Sequence, residues 1–203
     1  MQATDKTLRV ASLVAATEAE GPGKRFAVWL QGCPLRCPGC CNPEMLRFDG
    51  GDDLPVEELL RQVRRAAERQ GVEGVTLLGG EPFAHADAAA VFAREVQQAG
   101  LTVMVFSGYT LAELQKLPDP AARLLLAHTD LLVDGPYRRE LPETRRRWIG
   151  SSNQQIHFLS ERYREDDPCW RRPNTLEIRF DGKELLINGF PAESAAAIWK
   201  QRT

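Results

Sequence analysis

The sequence predicts an α/β fold, a parallel sheet covered by helices and closed no further than a partial (β/α) barrel. Three observations carry that expectation. Short apolar runs without polar alternation recur along the chain, the mark of strands buried on both faces. Amphipathic stretches of helical period fall between them, as parallel strands require. A length of 203 residues is too short for a full eightfold ring of about 250.

In order, "KRFAVWLQG" (24–32) reads as a buried strand that ends at a cysteine-rich loop. "LPVEELLRQVRRAAERQG" (54–71) reads as a helix: Pro55 suits the first turn, Leu59, Leu60, Val63, Ala66 and Ala67 form the stripe, and Gly71 ends it. "GVTLLGG" (74–80) is a short strand stopped by two glycines. A helix over about 85–99, the strand "LTVMVFSG", a helix from about Thr110 and the strand "DLLVDG" (130–135) continue the alternation. After residue 158 the pattern changes. "TLEIRFDGKELLINGFP" (175–191) reads as a β-hairpin around Asp181-Gly182, followed by a short C-terminal helix. Residues 159–203 are therefore expected to be an appendage of a single domain spanning 1–203.

The tips "GC" (32–33), "GGEP" (79–82), "SGYT" (107–110) and "DGPY" (134–137) all follow strand C-termini. Ligands bind at that edge of parallel sheets, so the four loops are expected to converge on one face.

Bulk properties narrow the field. A hydrophobic content of 43% supports one core without disulfides. No apolar run reaches membrane-spanning length, and "MQATDKTLRVASLV" has no cleavage site of a secretory signal. The expected location is a reducing cytoplasm. A net charge of −2 and a pI near 6.0 argue against a dedicated nucleic-acid binder, and nothing calls for a membrane partner. The basic runs "RRELPETRRRW" (138–148) and "RYREDDPCWRR" (162–172) are interleaved with acids, and read as a solvated face or a docking surface for a partner protein.

Four of the five cysteines lie in "QGCPLRCPGCCN" (31–42). In a reducing compartment such clusters bind metal or do redox chemistry. A closed zinc site wants four ligands, and only Cys169 or one of His85, His128 and His157 could complete one through folding proximity. A thioredoxin-like pair, Cys37 and Cys40, leaves Cys33 unexplained. An iron–sulfur cluster fits better: Cys33, Cys37 and Cys40 in C-x3-C-x2-C spacing would hold a four-iron cluster with one iron open to a ligand. Pro34, Pro38 and Gly39 suit a wrapping loop. Adjacent residues project differently, so Cys40 and Cys41 do not both serve, and the spacing favours Cys40.

The cysteine loop followed by "GGEP" resembles the radical S-adenosylmethionine enzymes. Within them the chain is similar to the activating proteins of anaerobic ribonucleoside-triphosphate reductase. The pieces that carry the likeness are "EGPGKR" (20–25), "QGCPLRCPGCCNPE" (31–44), "LLGGEPF" (77–83), "SGYTLAEL" (107–114), "LLVDGPYRREL" (131–141) and "WIGSSNQQIH" (148–157). Cys41 departs from the pattern, which usually carries an aromatic residue there, and so does the long tail after 158. The resemblance implies a partial barrel of the radical S-adenosylmethionine type, a 4Fe-4S cluster on Cys33, Cys37 and Cys40, and S-adenosylmethionine as cofactor. It also implies a glycyl-radical enzyme as partner and a low-potential electron donor such as flavodoxin or ferredoxin.

The remaining motifs admit a plain and a functional reading. Gly79, Gly80 and Glu81 suit a tight turn, or a close backbone approach to a ligand with a carboxylate able to receive an ammonium group; the resemblance implies the amino end of the cofactor there. Ser107, Gly108 and Tyr109 precede a helix that Thr110 could cap, and the resemblance puts them beside the cofactor's sugar and methionine. Asp134, ending an apolar strand, is assigned to the cofactor pocket or to orienting a pocket residue. Ser151 to Gln154 form a polar turn, by resemblance near the mouth. Arg25 is a weak candidate for facing the cluster or partner, and His157 is as well explained by structure. No side chain is given a catalytic role beyond the cluster and cofactor.

Three functions follow. The first is an activating enzyme whose 5′-deoxyadenosyl radical takes a hydrogen atom from a glycine of a partner such as anaerobic ribonucleotide reductase. The second is a radical enzyme acting on another protein or a small molecule. The third is a non-catalytic electron-transfer or interaction protein, against which the intact "GGEP" loop speaks.

Overall fold

Strand β2 (Arg25–Leu30) buries all six residues and lies between neighbours on both sides. The structure, a computed structural model, describes residues 6–180, 182 and 185–190. Its main sheet also contains β1 (Thr7–Thr17), β3 (Asp52–Pro55), β4 (Gly74–Gly79), β5 (Thr102–Phe106), β6 (Leu131–Asp134) and β7 (Gln155–Phe158). The order is β3-β1-β2-β4-β5-β6-β7. β2, β4, β5 and β6 run parallel in register, while β1, β3 and β7 add antiparallel strands at the flanks. Strands β3 and β7 are free edges among the described residues, so the sheet is a partial (β/α) barrel and not a ring.

Helices α1 (Val56–Gln70), α2 (Ala86–Gln98), α3 (Leu111–Lys116) and α4 (Pro120–Ala127) connect the strands. In α1 the expected stripe is the packed one. Leu59, Leu60, Val63 and Ala66 are buried, and Gly71 adopts φ 69° to end the helix, a conformation that glycine takes without strain. These helices cover one sheet face through Phe26, Val28, Leu30, Val75, Leu77, Val103, Val105 and Leu132.

The other face is filled differently. Met104, Leu131 and Val133 pack with Trp148 and Ile149, then with Tyr163, Trp170 and Phe190 from the tail. Beyond β7 the chain thus folds back across the sheet and forms the expected hairpin, β8 (Leu176–Phe180) and β9 (Leu185–Gly189). Asn188 Nδ2 donates to Thr17 Oγ1 (3.0 Å), the Glu18 amide donates to Glu177 Oε1 (2.8 Å), and the Phe190 ring stacks on Phe106 at 6.0 Å. The expected C-terminal helix lies outside the described residues.

Two readings need correction. The cysteine loop follows the second strand, because β1 precedes β2 and pairs with it antiparallel. Arg25 does not face the cysteine loop. It is fully buried at the opposite edge, where it donates to Thr76 Oγ1 (3.1 Å), Thr102 Oγ1 (2.6 Å) and Tyr163 Oη (3.0 Å). Burial without a paired carboxylate lowers its pKa.

Candidate functional site

The C-terminal ends of β2, β4, β5 and β6 bring the four tips together. Gly80 N donates to Leu30 O (2.7 Å) and Glu81 N to Gly32 O (2.9 Å), so the β4 tip continues the ladder onto the start of the cysteine loop. This explains the glycine pair. A Cβ on Gly79 would lie 2.8 Å from Leu30 N, and one on Gly80 would lie 2.4 Å from Gly32 O. At Gly108 a Cβ would meet Leu35 Cδ1 at 2.5 Å, so the β5 tip packs directly on the cysteine loop. The β6 tip joins through Gly135 N, which donates to Tyr109 O (3.0 Å).

Residues Gly150 to Gln154 buttress that last tip. Asn153 Nδ2 donates to Pro136 O (2.8 Å), Gln154 Nε2 to Gly135 O (2.9 Å), and the Arg138 amide to Ser151 Oγ (3.1 Å). A cleft next to the cysteine loop is lined by Leu35, Cys37, Pro38, Tyr137, Arg138 and Glu140.

Within the loop, Gln31 and Gly32 pin both ends. Gln31 Nε2 donates to Glu44 O (3.1 Å) and Arg47 O (2.7 Å), while Gly32 N donates to Met45 O (2.9 Å). His85 belongs to this scaffold, with Nε2 2.8 Å from Gln31 O. The sequence left that role unread, because the histidine stands far along the chain from its partner.

The loop's sulfurs differ in what holds them. Cys33 receives backbone hydrogen bonds from Leu35 and Arg36, and Cys40 Sγ accepts from Asn42 N (3.4 Å). Amide donors of this kind tune a thiolate-bound cluster. The Cys41 thiol instead pairs with the Tyr137 hydroxyl. Burial raises the pKa of Cys33, Cys40 and Cys41, and the Cys33 and Cys40 thiols are raised further by Cys37 and by neighbouring charge. Cys33 and Cys40 carry amide donors and lie within electrostatic reach of Cys37, a donor chemistry that suits a thiolate-bound cluster, although among the described residues the side chains are not gathered into a metal-binding group. The partners considered for a zinc site lie elsewhere: His85 is on Gln31 O, His128 Nδ1 on Gln97 (3.0 Å), His157 beside Asp134, and Cys169 in the tail's core.

Glu81 and Asp134 sit beneath the tips, 1% and 5% exposed. Glu81 Oε1 accepts from Phe83 N and Ser107 Oγ, each at 3.0 Å, and Oε2 accepts from Gly108 N (2.9 Å). Burial pushes its pKa up to about 7 against the pull of those three bonds. Asp134 Oδ2 accepts from Leu111 N (2.6 Å). The same oxygen lies 2.9 Å from His157 Nε2, a close contact without hydrogen-bond alignment. Thr110 is the helix cap, in a full capping box with Glu113.

The basic segment is divided: Arg138 and Arg139 are exposed, while two of its other arginines are tied into the fold. Arg147 is 7% exposed, stacked 3.9 Å over Trp148, and bonded to Cys169 O (3.0 Å) and Thr175 Oγ1 (3.2 Å). Arg146 is tied to Glu143 (2.7 Å), Gln154 O (2.9 Å) and Ser152 O (2.8 Å). Arg145 remains exposed.

A thiol-rich loop at the C-terminal edge of a parallel sheet, fed by backbone amides and walled by three further strand tips, is the architecture of an iron–sulfur α/β domain. The family model for a 4Fe-4S single cluster domain matches residues 19–157. The anaerobic ribonucleoside-triphosphate reductase-activating protein of Vibrio cholerae is 31% identical over 145 residues, covering 68% of this chain and 89% of that protein. That of Haemophilus influenzae is 29% identical over 144 residues, with 68% and 89% covered. The pyruvate formate-lyase-activating enzyme of Clostridium pasteurianum is 32% identical over 129 residues, covering 62% of this chain and 50% of that enzyme. The chain belongs to the 4Fe-4S activating-protein family of the radical S-adenosylmethionine enzymes. Its cofactors are a 4Fe-4S cluster and S-adenosylmethionine.

Proposed function

We propose that this protein installs a glycyl radical on a partner enzyme, an anaerobic ribonucleotide reductase or a close functional equivalent. The observation that carries the reading is the interlocking of the four strand tips around the cysteine loop. Cys33, Cys37 and Cys40 hold the cluster, and Cys41 is left out because its thiol is engaged with Tyr137. The loops Gly79–Glu81 and Ser107–Tyr109, with Asp134 below, form the cofactor pocket. A cluster and S-adenosylmethionine held there would supply one-electron cleavage of the sulfonium and the hydrogen-abstracting power that the partner's glycine requires.

The protein's own contribution is geometry. The tips Asp134–Tyr137 and Gly150–Gln154 brace one side of the mouth. The open sheet edge suits a macromolecular substrate, and glycine lets a backbone approach closely. A low-potential protein such as flavodoxin or ferredoxin supplies the electron, in the cytoplasm. The hairpin and tail are an appendage of the same domain. They lie beyond the matched family region, which ends at 157, and they place Phe190 on Phe106, next to the Ser107 loop.

The test is electron paramagnetic resonance on a mixture of the loaded protein, S-adenosylmethionine, reductant and the reductase encoded beside it. A glycyl doublet on the reductase is expected. Cofactor turnover with no such radical on any neighbouring protein, and conversion of a small molecule instead, would replace the reading.

A further inference from the structure

Both buried carboxylates at the site are taken up by protein donors, and nearly all of those donors come from one short stretch. Glu81 on the β4 tip holds its start through Ser107 Oγ (3.0 Å) and Gly108 N (2.9 Å). Asp134, ending β6, holds its end through Leu111 N (2.6 Å). Between them, Tyr109 N donates to Ser107 Oγ (3.1 Å) and Tyr109 O accepts from Gly135 N (3.0 Å). The stretch is therefore fastened from the strand on either side of β5, and Gly108 abuts Leu35 of the cysteine loop.

From this we infer that Glu81 and Asp134 are positioning residues: they hold Ser107–Leu111 as a preformed wall of the cofactor pocket and act on the cofactor through that wall. The inference rests on the cofactor reading proposed above. An ionised carboxylate only accepts, so Glu81 can satisfy three donors at once, and its 1% exposure leaves no open side. Its remaining lone pair is walled off with the rest of the side chain, so a ligand's ammonium group would reach it only if the Ser107–Gly108 turn opened. A glutamine in its place would turn an NH2 group toward one of those donors and push the stretch, and Leu35 with it, out of place.

The experiment compares two ligands on the anaerobically reconstituted full chain: S-adenosylmethionine and its analogue lacking the α-amino group. Affinities are measured by equilibrium dialysis for wild type, Glu81→Gln, Ser107→Ala and Asp134→Asn, with iron content and near-ultraviolet circular dichroism checked for each. A positioning role weakens both ligands by the same factor, about tenfold for Glu81→Gln, and Ser107→Ala lowers both in the same direction. Direct contact with the ammonium group gives the opposite pattern: Glu81→Gln weakens S-adenosylmethionine but leaves the deamino analogue within twofold, which overturns the inference. If Glu81→Gln fails to fold, Ser107→Ala decides alone, since it removes one hydroxyl, and unchanged binding of both ligands overturns the inference. Wild type that carries a full cluster yet binds neither ligand overturns the cofactor reading and this inference with it.

Discussion

Replacing Arg147 by alanine is expected to loosen the tail, and the size of the effect follows from its contacts. The guanidinium donates to Cys169 O and Thr175 Oγ1 and stacks 3.9 Å from the centre of the Trp148 ring. Hydrogen bonds from a charged donor contribute about 1.5–3 kcal/mol each, and a desolvated cation–π contact adds about 2 kcal/mol. Against these stands the burial of the charge, which costs several kcal/mol and lowers the pKa of Arg147, whose Nε has no partner. Truncation also strands the two acceptors and leaves a cavity beside Trp148. The net loss is about 2–4 kcal/mol. Exposed Arg145 gives the control, with Arg145→Ala within about 0.5 kcal/mol of wild type. Urea unfolding of the cluster-free protein, followed by tryptophan fluorescence, measures both. Equal stability of the two variants would refute the claim that Arg147 anchors the tail.

Three further outcomes are expected. Burial pushes Glu20 up to about 7 from 4.5, so the native state keeps a proton that the unfolded chain releases, and the stability this confers is lost as pH rises through 7. From pH 5 to 8 the wild type should lose about 2–3 kcal/mol relative to Glu20→Gln; a constant difference in paired urea titrations would contradict the burial argument. Cys41→Ala should keep the full iron and sulfide content after anaerobic reconstitution while Cys40→Ala loses it, and the reverse result would move the third ligand to Cys41. Gly80→Ala, whose Cβ would sit 2.4 Å from Gly32 O, should lower the melting temperature by several degrees, corresponding to about 1–3 kcal/mol, and impair cluster loading; an unchanged melting curve would show that the two tips are not in contact.

The parallel core was legible because its strands are unbroken apolar runs with helical periods between them. The flanking strands were not. β1 has an irregular burial pattern and register shifts at Val10/Ser12 and Val14/Thr17, which erase the alternation that would have marked it. β3 is Asp-Asp-Leu-Pro, a poor strand by composition, and forms only because β1 supplies a partner. Helix α4 carries its own signal, Asp119 as cap and Pro120 in the first turn, which separates it from the helix that begins after Thr110. The order of the tips could be read, because turn residues at strand ends are local. The commitments of Glu81 and Asp134 could not, since apart from Phe83 N their donors lie more than twenty residues away and most are backbone amides. A run of arginines likewise does not say which one is inside: Arg147 is buried while its neighbour Arg145 is exposed.

One product assay tests the chemistry of the cysteine loop directly. The anaerobically reconstituted protein is reduced in the presence of S-adenosylmethionine, and methionine and 5′-deoxyadenosine are quantified together. Equal amounts of the two are expected from wild type, with none above background from Cys33→Ala, Cys37→Ala or Cys40→Ala. A protein loaded with iron and sulfide that binds the cofactor yet leaves it intact, or cleavage that persists without Cys33, would contradict the claim that this cysteine loop drives radical chemistry.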